Sequence, residues 1–559
     1  MNFYEAQKIL FAERPARMAL LALPAGDTND ATEARPLRIN VWRNHAIESI
    51  MSLAQPYFAW AHLATELHIG HYDDSLQFDM HEAADVELIW LDPSRYDNEA
   101  EWLTWLAERL RALRTMSDAP IVLATWASAA GGAELQALAD QLPGVRFADI
   151  LTFAKEAGLP LLDARTATAS GTPIASALHA LLARKLVCHW LAGCALPSIK
   201  AVAVDLDNTL HAGVLGEDGP HGVVLMPGHI ALQTALKSLR ARGVFLSLVS
   251  RNDFTDVQAL FVERHDYPLR WEDFSAIEVS WGTKVDALRR IALQLNIGTN
   301  AMVFVDDNLG ELLNVATALP EMRSVFAEAD ADLTRRVVMH LPGLWRWKTG
   351  ADDAVRIADL NANQQRAAML KNARDPSDYF RDLQVTLQWR VDPMDQLDRL
   401  ADLCSKTNQF NLSVRRFKHA ELSQSMQSPL AHVVSVRMRD RLADSGVVAV
   451  IVTRRDGSQL IVEELCISCR ALGRGLEDTM ILAVVQHLPL FEGCTELVMQ
   501  VAHGPRNQPA LQWLARVMGD NPSHGALPAG EHSIAADRVR DFAAPSGLML
   551  SSGDFPHEP

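Results

Sequence analysis

Three short apolar runs, AVAVDLD, VFLSLVS and AMVFVDD, lie between residues 201 and 307, and each ends on carboxylates or a hydroxyl. Each has the length of a buried strand. Between them lie helix-patterned stretches: HIALQTALKSLRARG, whose periodicity ends at Gly243, and VDALRRIALQL. Strand and helix alternating at this spacing confine the segment from about 198 to 340 to a parallel α/β sheet. An open sheet of that kind places its ligand beyond the carboxyl ends of its strands. Asp205 and Asp207 stand at such an end.

The chemistry follows from the residue types. An aspartate nucleophile at 205 can attack phosphorus to give an aspartyl-phosphate. Asp207, two residues on, can protonate the leaving oxygen and later activate water. Attacker and target are both anionic, so the pattern calls for Mg²⁺. Its candidate ligands are Asp205, Asp207, Asp306 and Asp307, and the sequence leaves open which of the last two binds. The hydroxyl of Ser250 can hold a phosphoryl oxygen, and Lys284 in SWGTKVDAL can neutralise phosphate and nucleophile. In this order the elements resemble the four motifs of the haloacid-dehalogenase superfamily. That resemblance implies a HAD-like Rossmannoid domain over 196–343 and makes Thr209 a second hydroxyl donor.

A narrower resemblance follows the nucleophile. DLDNTLHAGVLGEDG at 205–219 is similar to the DLDNTLWGGVxGEDG signature of the FkbH-like family. SxND at 250–253, WxxK at 281–284 and FVDDN at 304–308 also fit. So do KTNQFNLSVRRF at 406–417, SCRALGRGLE at 468–477 and HGPRNQP at 503–509. The likeness covers residues 200–520 well. It implies capture of a glyceryl unit from 1,3-bisphosphoglycerate, removal of the 3-phosphate, and loading onto the phosphopantetheine of an acyl carrier protein for polyketide-type biosynthesis. It also implies an SGNH-hydrolase-like domain at 1–195, read as non-catalytic because no GDS-type nucleophile stands there. A helical connector at 344–383, a GNAT-like α+β domain at 384–525 and a tail at 526–559 complete the expected organisation. Two departures sit beside the phosphate site: His211-Ala212 replaces Trp-Gly, and Arg251 replaces Lys. They keep lactyl or another short hydroxyacyl unit open as cargo.

The flanking regions read independently. LRINVW from Leu37, VELIWL at 86–91, EAEWLTWLAERLRAL at 99–113 and APIVLATWA at 119–127 alternate strand and helix, after a loop at Gly26–Asp30. From 384, VTLQWRV, HVVSVRMRD, GVVAVIVTRR and QLIVEELCISCR read as strands and GLEDTMILAVVQHL as a helix. Arg470 to Gly475 fits an RxxGxG loop, where Gly473 and Gly475 let backbone N–H groups approach a phosphate at a helix start. Cys469, beside Arg470 and that helix start, has the setting of a lowered-pKa thiolate able to hold an acyl group; a buried structural cysteine is the alternative. Arg251, Asn252, His503 and Asn507 are further candidates for substrate or pantetheine contact. Between 404 and 475 there are 11 Lys/Arg against 6 Asp/Glu, a local surplus suited to an acidic carrier.

A formal net charge of −17 argues against wrapping nucleic acid. No run reaches the roughly 18 apolar residues of a membrane span, and the N-terminus lacks a signal-peptide layout, so a cytoplasmic protein is expected. Six cysteines make no disulfide framework, and the CxxC of Cys466 and Cys469 has no second pair to complete a zinc site. A small-molecule phosphatase with a partner-binding C-terminal domain remains the other reading.

Overall fold

The computed structural model describes residues 3–23, 34–78, 81–165, 170–348, 376–519 and 527–553, with 359, 360, 362, 363, 365, 366 and 369. The loop expected at Gly26–Asp30 and half of the connector expected at 344–383 lie outside the described residues. The chain divides into two compact units, residues 1–349 and 350–559.

The first unit carries two parallel sheets. Strands β1 (Arg35–Arg43), β2 (Leu63–Tyr72), β3 (Val86–Trp90), β4 (Ile121–Thr125) and β5 (Val145–Asp149) run in the order β2-β1-β3-β4-β5. Every residue of β3 and β4 is buried, as in a parallel sheet covered on both faces. Strands β6 (Ala201–Val204), β7 (Phe245–Ser250), β8 (Ala276–Val279), β9 (Met302–Asp306) and β10 (Arg323–Phe326) form the second sheet, in the order β10-β9-β6-β7-β8. The order reverses between β6 and β9. There the crossovers leave to opposite sides and open a crevice at the carboxyl ends.

The two domains expected at 1–195 and 196–343 share one continuous apolar core, from Leu10 and Trp60 through Val187 to Val204, Val337 and Leu344. Polar contacts fasten the same seam. Gln7 donates Nε2–H to the Phe326 carbonyl at 3.0 Å and accepts the Phe326 N–H at 3.1 Å, closing the free edge of β10. Arg323 donates to the Trp60 carbonyl at 2.7 Å, and Arg336 to that of Phe11 at 2.8 Å. The N-terminal sheet therefore buttresses the second sheet.

In the second unit, β11 (Thr386–Val391), β12 (Ala431–Arg439), β13 (Asp444–Asp456), β14 (Gln459–Ile467), β15 (Glu496–Val501), β16 (Gly530–Ala535) and β17 (Met549–Ser552) form one sheet, ordered β16-β15-β14-β13-β12-β11-β17. It is mixed: β14 pairs with β15 in parallel, and β11 to β14 are successively antiparallel. Two expectations change. The helix Pro376–Leu383, placed in the connector, buries Tyr379, Phe380 and Leu383 in this unit's core. The tail expected from 526 instead supplies both outer strands, β16 against β15 and β17 against β11. Its Gly- and Ser-rich sequence hid that pairing, because partners, more than intrinsic preference, decide whether a strand forms.

Pairing of β14 with β15 stops after Val462 and Met499, and residues 410–412 enter the parting. Ile467 N–H donates to the Phe410 carbonyl at 3.0 Å and Ala502 N–H to that of Leu412 at 2.9 Å. Behind this insert lies Glu464, fully buried, whose Oε1 accepts from the Leu465 and Ser413 amides while Oε2 has no partner among the described residues. Burial pushes its carboxyl up to about 7, against the lowering effect of those two amides. A folded-state value above the unfolded one means that stability falls as pH rises through the window between them. Glu464→Gln should therefore remove a loss of roughly 3 kcal/mol that the natural protein suffers between about pH 4.5 and pH 7. Urea unfolding of the two proteins below and above that window checks this; parallel pH curves would contradict it.

Candidate active site

Three strand ends and one helix start build the site. The Asp205 N–H continues the ladder to the Val305 carbonyl at 2.9 Å, so the residue leaves β6 beside the end of β9. Asp306 closes β9 and Ser250 closes β7. Lys284 opens the helix Lys284–Gln294, whose start is fixed by Thr283 accepting the Asp286 N–H. The sheet therefore delivers Asp205 and Asp306 to the point where its order reverses.

Lys284 Nζ lies 2.9 Å from Asp205 Oδ1 and 2.6 Å from Asp306 Oδ2, with all three side chains buried. Asp307, half-buried, completes a group with Asp205 and Asp306 in which one carboxylate oxygen from each lies within 4.8 Å of the others. Three carboxylates against one ammonium leave a formal −2 in a buried space. Burial and the neighbouring Asp306 push Asp205 upward, with Lys284 opposing. Burial likewise raises Asp306 and Asp307. Hard oxygen donors and an uncompensated −2 charge fit a divalent cation such as Mg²⁺. Asp306 and Asp307 both belong to this group.

Asp207 does not. Its carboxylate is not part of the three-acid group and is held by three donors. Oδ1 accepts the Leu215 N–H at 2.9 Å and faces His211 Nε2 at 3.1 Å, while Oδ2 accepts from Asn252 Nδ2 at 2.7 Å. These bonds keep its carboxyl below the usual range although burial opposes them. The Asp207 carboxylate, expected among the metal ligands, thus lies outside the group formed by the other three acids. Asn208, the next residue, takes φ 51°.

Of the two expected hydroxyl donors, Thr209 follows β6 and Ser250 closes β7. Thr209 Oγ1 is buried and has no protein partner among the described residues. Ser250 Oγ accepts from Asn252 Nδ2 at 2.9 Å, which leaves its own O–H to donate. Asn252, expected to contact substrate, has both amide protons engaged, and bridges Asp207 to Ser250. Arg251 pairs with Glu311 at 2.8 Å on the rim, where its side chain is 44% exposed. Glu311 and His211 were not assigned roles by residue type alone; each has a partner distant in sequence, Arg251 and Tyr267.

The C-terminal candidates are gathered less tightly. Cys469 is half-buried, just past β14. Gly473 and Gly475 have φ of 77° and 69°, conformations that favour glycine. The Gly473 N–H, however, donates to Glu477 Oε1 at 2.9 Å, so a carboxylate already occupies that amide. Buried Arg470 reaches toward the Val447 carbonyl at 3.5 Å. Asn507, expected to touch pantetheine, is buried and donates to the Asn411 and Ala502 carbonyls at 2.9 and 2.8 Å, locking the inserted strand segment. His503 donates Nε2–H to the Leu527 carbonyl at 2.6 Å. The local basic surplus is partly internal: Arg437 pairs with Asp444, and Arg474 with Asp359 and Asp440. Cys466 is buried beside Asn411, which donates to its sulfur at 3.3 Å; no zinc-type group forms around it among the described residues.

No protein-family model and no curated protein sequence matches the chain. Among solved structures, the N-terminal part of the protein BF1531 from Bacteroides fragilis, described as containing a phosphatase domain complexed with Mg, is similar at 16% identity and TM-score 0.45, over 62% of this chain and 100% of that one. An uncharacterized protein from Corynebacterium glutamicum is similar at 16% identity and TM-score 0.18, over 26% and 96%. A GCN5-related glucosamine N-acetyltransferase region of a fungal multi-domain GH3 β-N-acetylglucosaminidase gives 12% identity and TM-score 0.16, over 90% and 64%. Likenesses this distant leave the chemistry to the residues themselves. No helix among the described residues is long and apolar enough to cross a membrane.

Proposed function

We propose that the chain is a Mg²⁺-dependent phosphatase that works through an aspartyl-phosphate on Asp205. The observation that carries this reading is the group of Asp205, Asp306, Asp307 and Lys284 at the carboxyl ends of β6 and β9. Asp205 Oδ attacks phosphorus as the P–O bond to the leaving group breaks. Asp207 gives the leaving oxygen its proton and later takes one from the water that hydrolyses the aspartyl-phosphate. Thr209 and Ser250 donate to the phosphoryl oxygens, and Lys284 holds the nucleophile in place. Asp205, Asp306 and Asp307 would hold Mg²⁺, which would supply charge neutralisation for the meeting of two anions.

The finer reading joins this site to acyl transfer. A phosphoglyceryl group from 1,3-bisphosphoglycerate passes to the thiol of Cys469, or directly to the thiol of a phosphopantetheinylated carrier protein, with release of the acyl phosphate. The Asp205 site then removes the remaining 3-phosphate. The FkbH-like signatures on both sides of the chain support it. The second reading, a phosphatase whose C-terminal unit only binds a partner, is favoured by two observations: the Gly473 amide is occupied by Glu477, and residues 410–412 fill the parting of β14 and β15.

One experiment separates them. The protein and a phosphopantetheinylated carrier are incubated with Mg²⁺ and freshly generated 1,3-bisphosphoglycerate, and intact masses are read. Glyceryl on the carrier, lost in Cys469→Ala with phosphatase activity retained, is the expected result for the transferase. An unmodified carrier with phosphate still released would leave the phosphatase alone.

A further inference from the structure

The residue that departs from the resembled signature beside the phosphate site, His211, is completely buried and lies between two polar groups. Its Nε2 is 3.1 Å from Asp207 Oδ1, and its Nδ1 is 2.9 Å from the hydroxyl of Tyr267, itself 1% exposed. The backbone under it is pinned: buried Gln233 donates to the Leu210 carbonyl at 2.8 Å and accepts the Leu269 N–H at 3.3 Å. The same glutamine thereby ties the His211 turn to the Tyr267 turn.

Hydrogen-bond capacity fixes the direction of this chain. An ionised carboxylate only accepts, so Nε2 carries the imidazole proton and Nδ1 accepts the Tyr267 O–H. Oδ1 of Asp207 then receives two donors, His211 Nε2–H and the Leu215 amide. Oδ2 receives only Asn252, which also contacts the Ser250 hydroxyl. One in-plane lone pair is left, and it is on Oδ2, the oxygen on the Ser250 side.

Resting on the phosphatase reading of the Asp205 site, we infer that His211, oriented by Tyr267, is a positioning residue that saturates Asp207 Oδ1 and so assigns the proton transfer to Oδ2. The free Oδ2 lone pair takes up the solvent proton that starts the cycle; in the first step this proton passes to the leaving oxygen as its bond to phosphorus breaks, and Asp207 returns to the carboxylate. In the second step Oδ2 accepts a proton from the attacking water. His211 and Tyr267 end each cycle in the protonation state in which they began. A tryptophan at position 211 could give Asp207 one N–H but has no acceptor for the Tyr267 hydroxyl.

The test uses the leaving group. An alkyl phosphate needs its leaving oxygen protonated, whereas 4-nitrophenyl phosphate, with an acidic phenol, hardly does. For each, kcat/KM reports the steps up to aspartyl-phosphate formation. With the full chain and Mg²⁺, His211→Phe is expected to lower kcat/KM for the alkyl ester at least about tenfold more than for the aryl ester. His211→Gln, which restores an N–H toward Oδ1, should recover most of the difference. Tyr267→Phe, the milder change, should show a smaller loss of the same kind, and keeps the question answerable if His211→Phe does not fold. Equal losses on both esters in the folded variants would overturn the inference and leave the phosphatase reading standing. Natural protein inactive on both esters would overturn that reading and the inference with it.

Discussion

Replacing Asp205 with Asn is expected to abolish phosphate release, by at least about a thousandfold in kcat, because the variant cannot form the aspartyl-phosphate. The same change should raise the stability of the metal-free protein at neutral pH. Asp205 sits almost completely buried among Asp306, Asp307 and Lys284, and burial together with Asp306 already pushes its carboxyl toward the neutral form. An amide removes one charge from a space that holds too many of one sign and keeps an oxygen for Lys284. Loss of function with gain of stability is the signature of a residue kept for chemistry. Steady-state turnover and thermal unfolding, run with and without Mg²⁺, check both halves. A variant that is inactive and also less stable without metal would show that the acidic group holds the fold together.

Lys284→Met carries the second large effect, with the opposite sign. The ammonium lies within 2.9 Å of Asp205 and 2.6 Å of Asp306, and its removal leaves those carboxylates buried without their cation. Breaking a buried pair from one side costs about 3–5 kcal/mol. The thioether fills the volume of the lysine stem, so packing changes little and the loss is electrostatic. A divalent cation among Asp205, Asp306 and Asp307 should restore part of it, so the variant should gain more thermal stability from added Mg²⁺ than the natural protein does. Equal gains would mean that the three carboxylates do not bind the ion as a group. Activity should fall as well, since Lys284 fixes the attacking oxygen.

Much of this site was legible in sequence because its parts are local. The runs ending at Val204, Ser250 and Asp306 are uninterrupted apolar strands followed at once by the chemistry, and that pattern depends on nothing far away. What the sequence did not show depends on distance. Asp207 stands two residues from Asp205, yet donors from Leu215, His211 and Asn252 hold its carboxylate outside the three-acid group. Tyr267 reaches His211 across 56 residues, which no spacing rule anticipates. Among the strands, β2 was missed because its residues are half-exposed and carry Glu66, His68 and His71, the composition of an edge. The strands β16 and β17 form because β15 and β11 offer them partners, not because their own residues prefer extended structure.

The central claim is a covalent phosphoryl group on Asp205. Its most direct test mixes the enzyme, Mg²⁺ and a ³²P-labelled phosphate ester, quenches in acid within the first turnover, and maps the label. Label on the protein that is released by hydroxylamine, lies on the peptide containing Asp205 and is absent from Asp205→Asn is the predicted result. Phosphate released at full rate by Asp205→Asn, or label mapped to any other residue, would contradict the account.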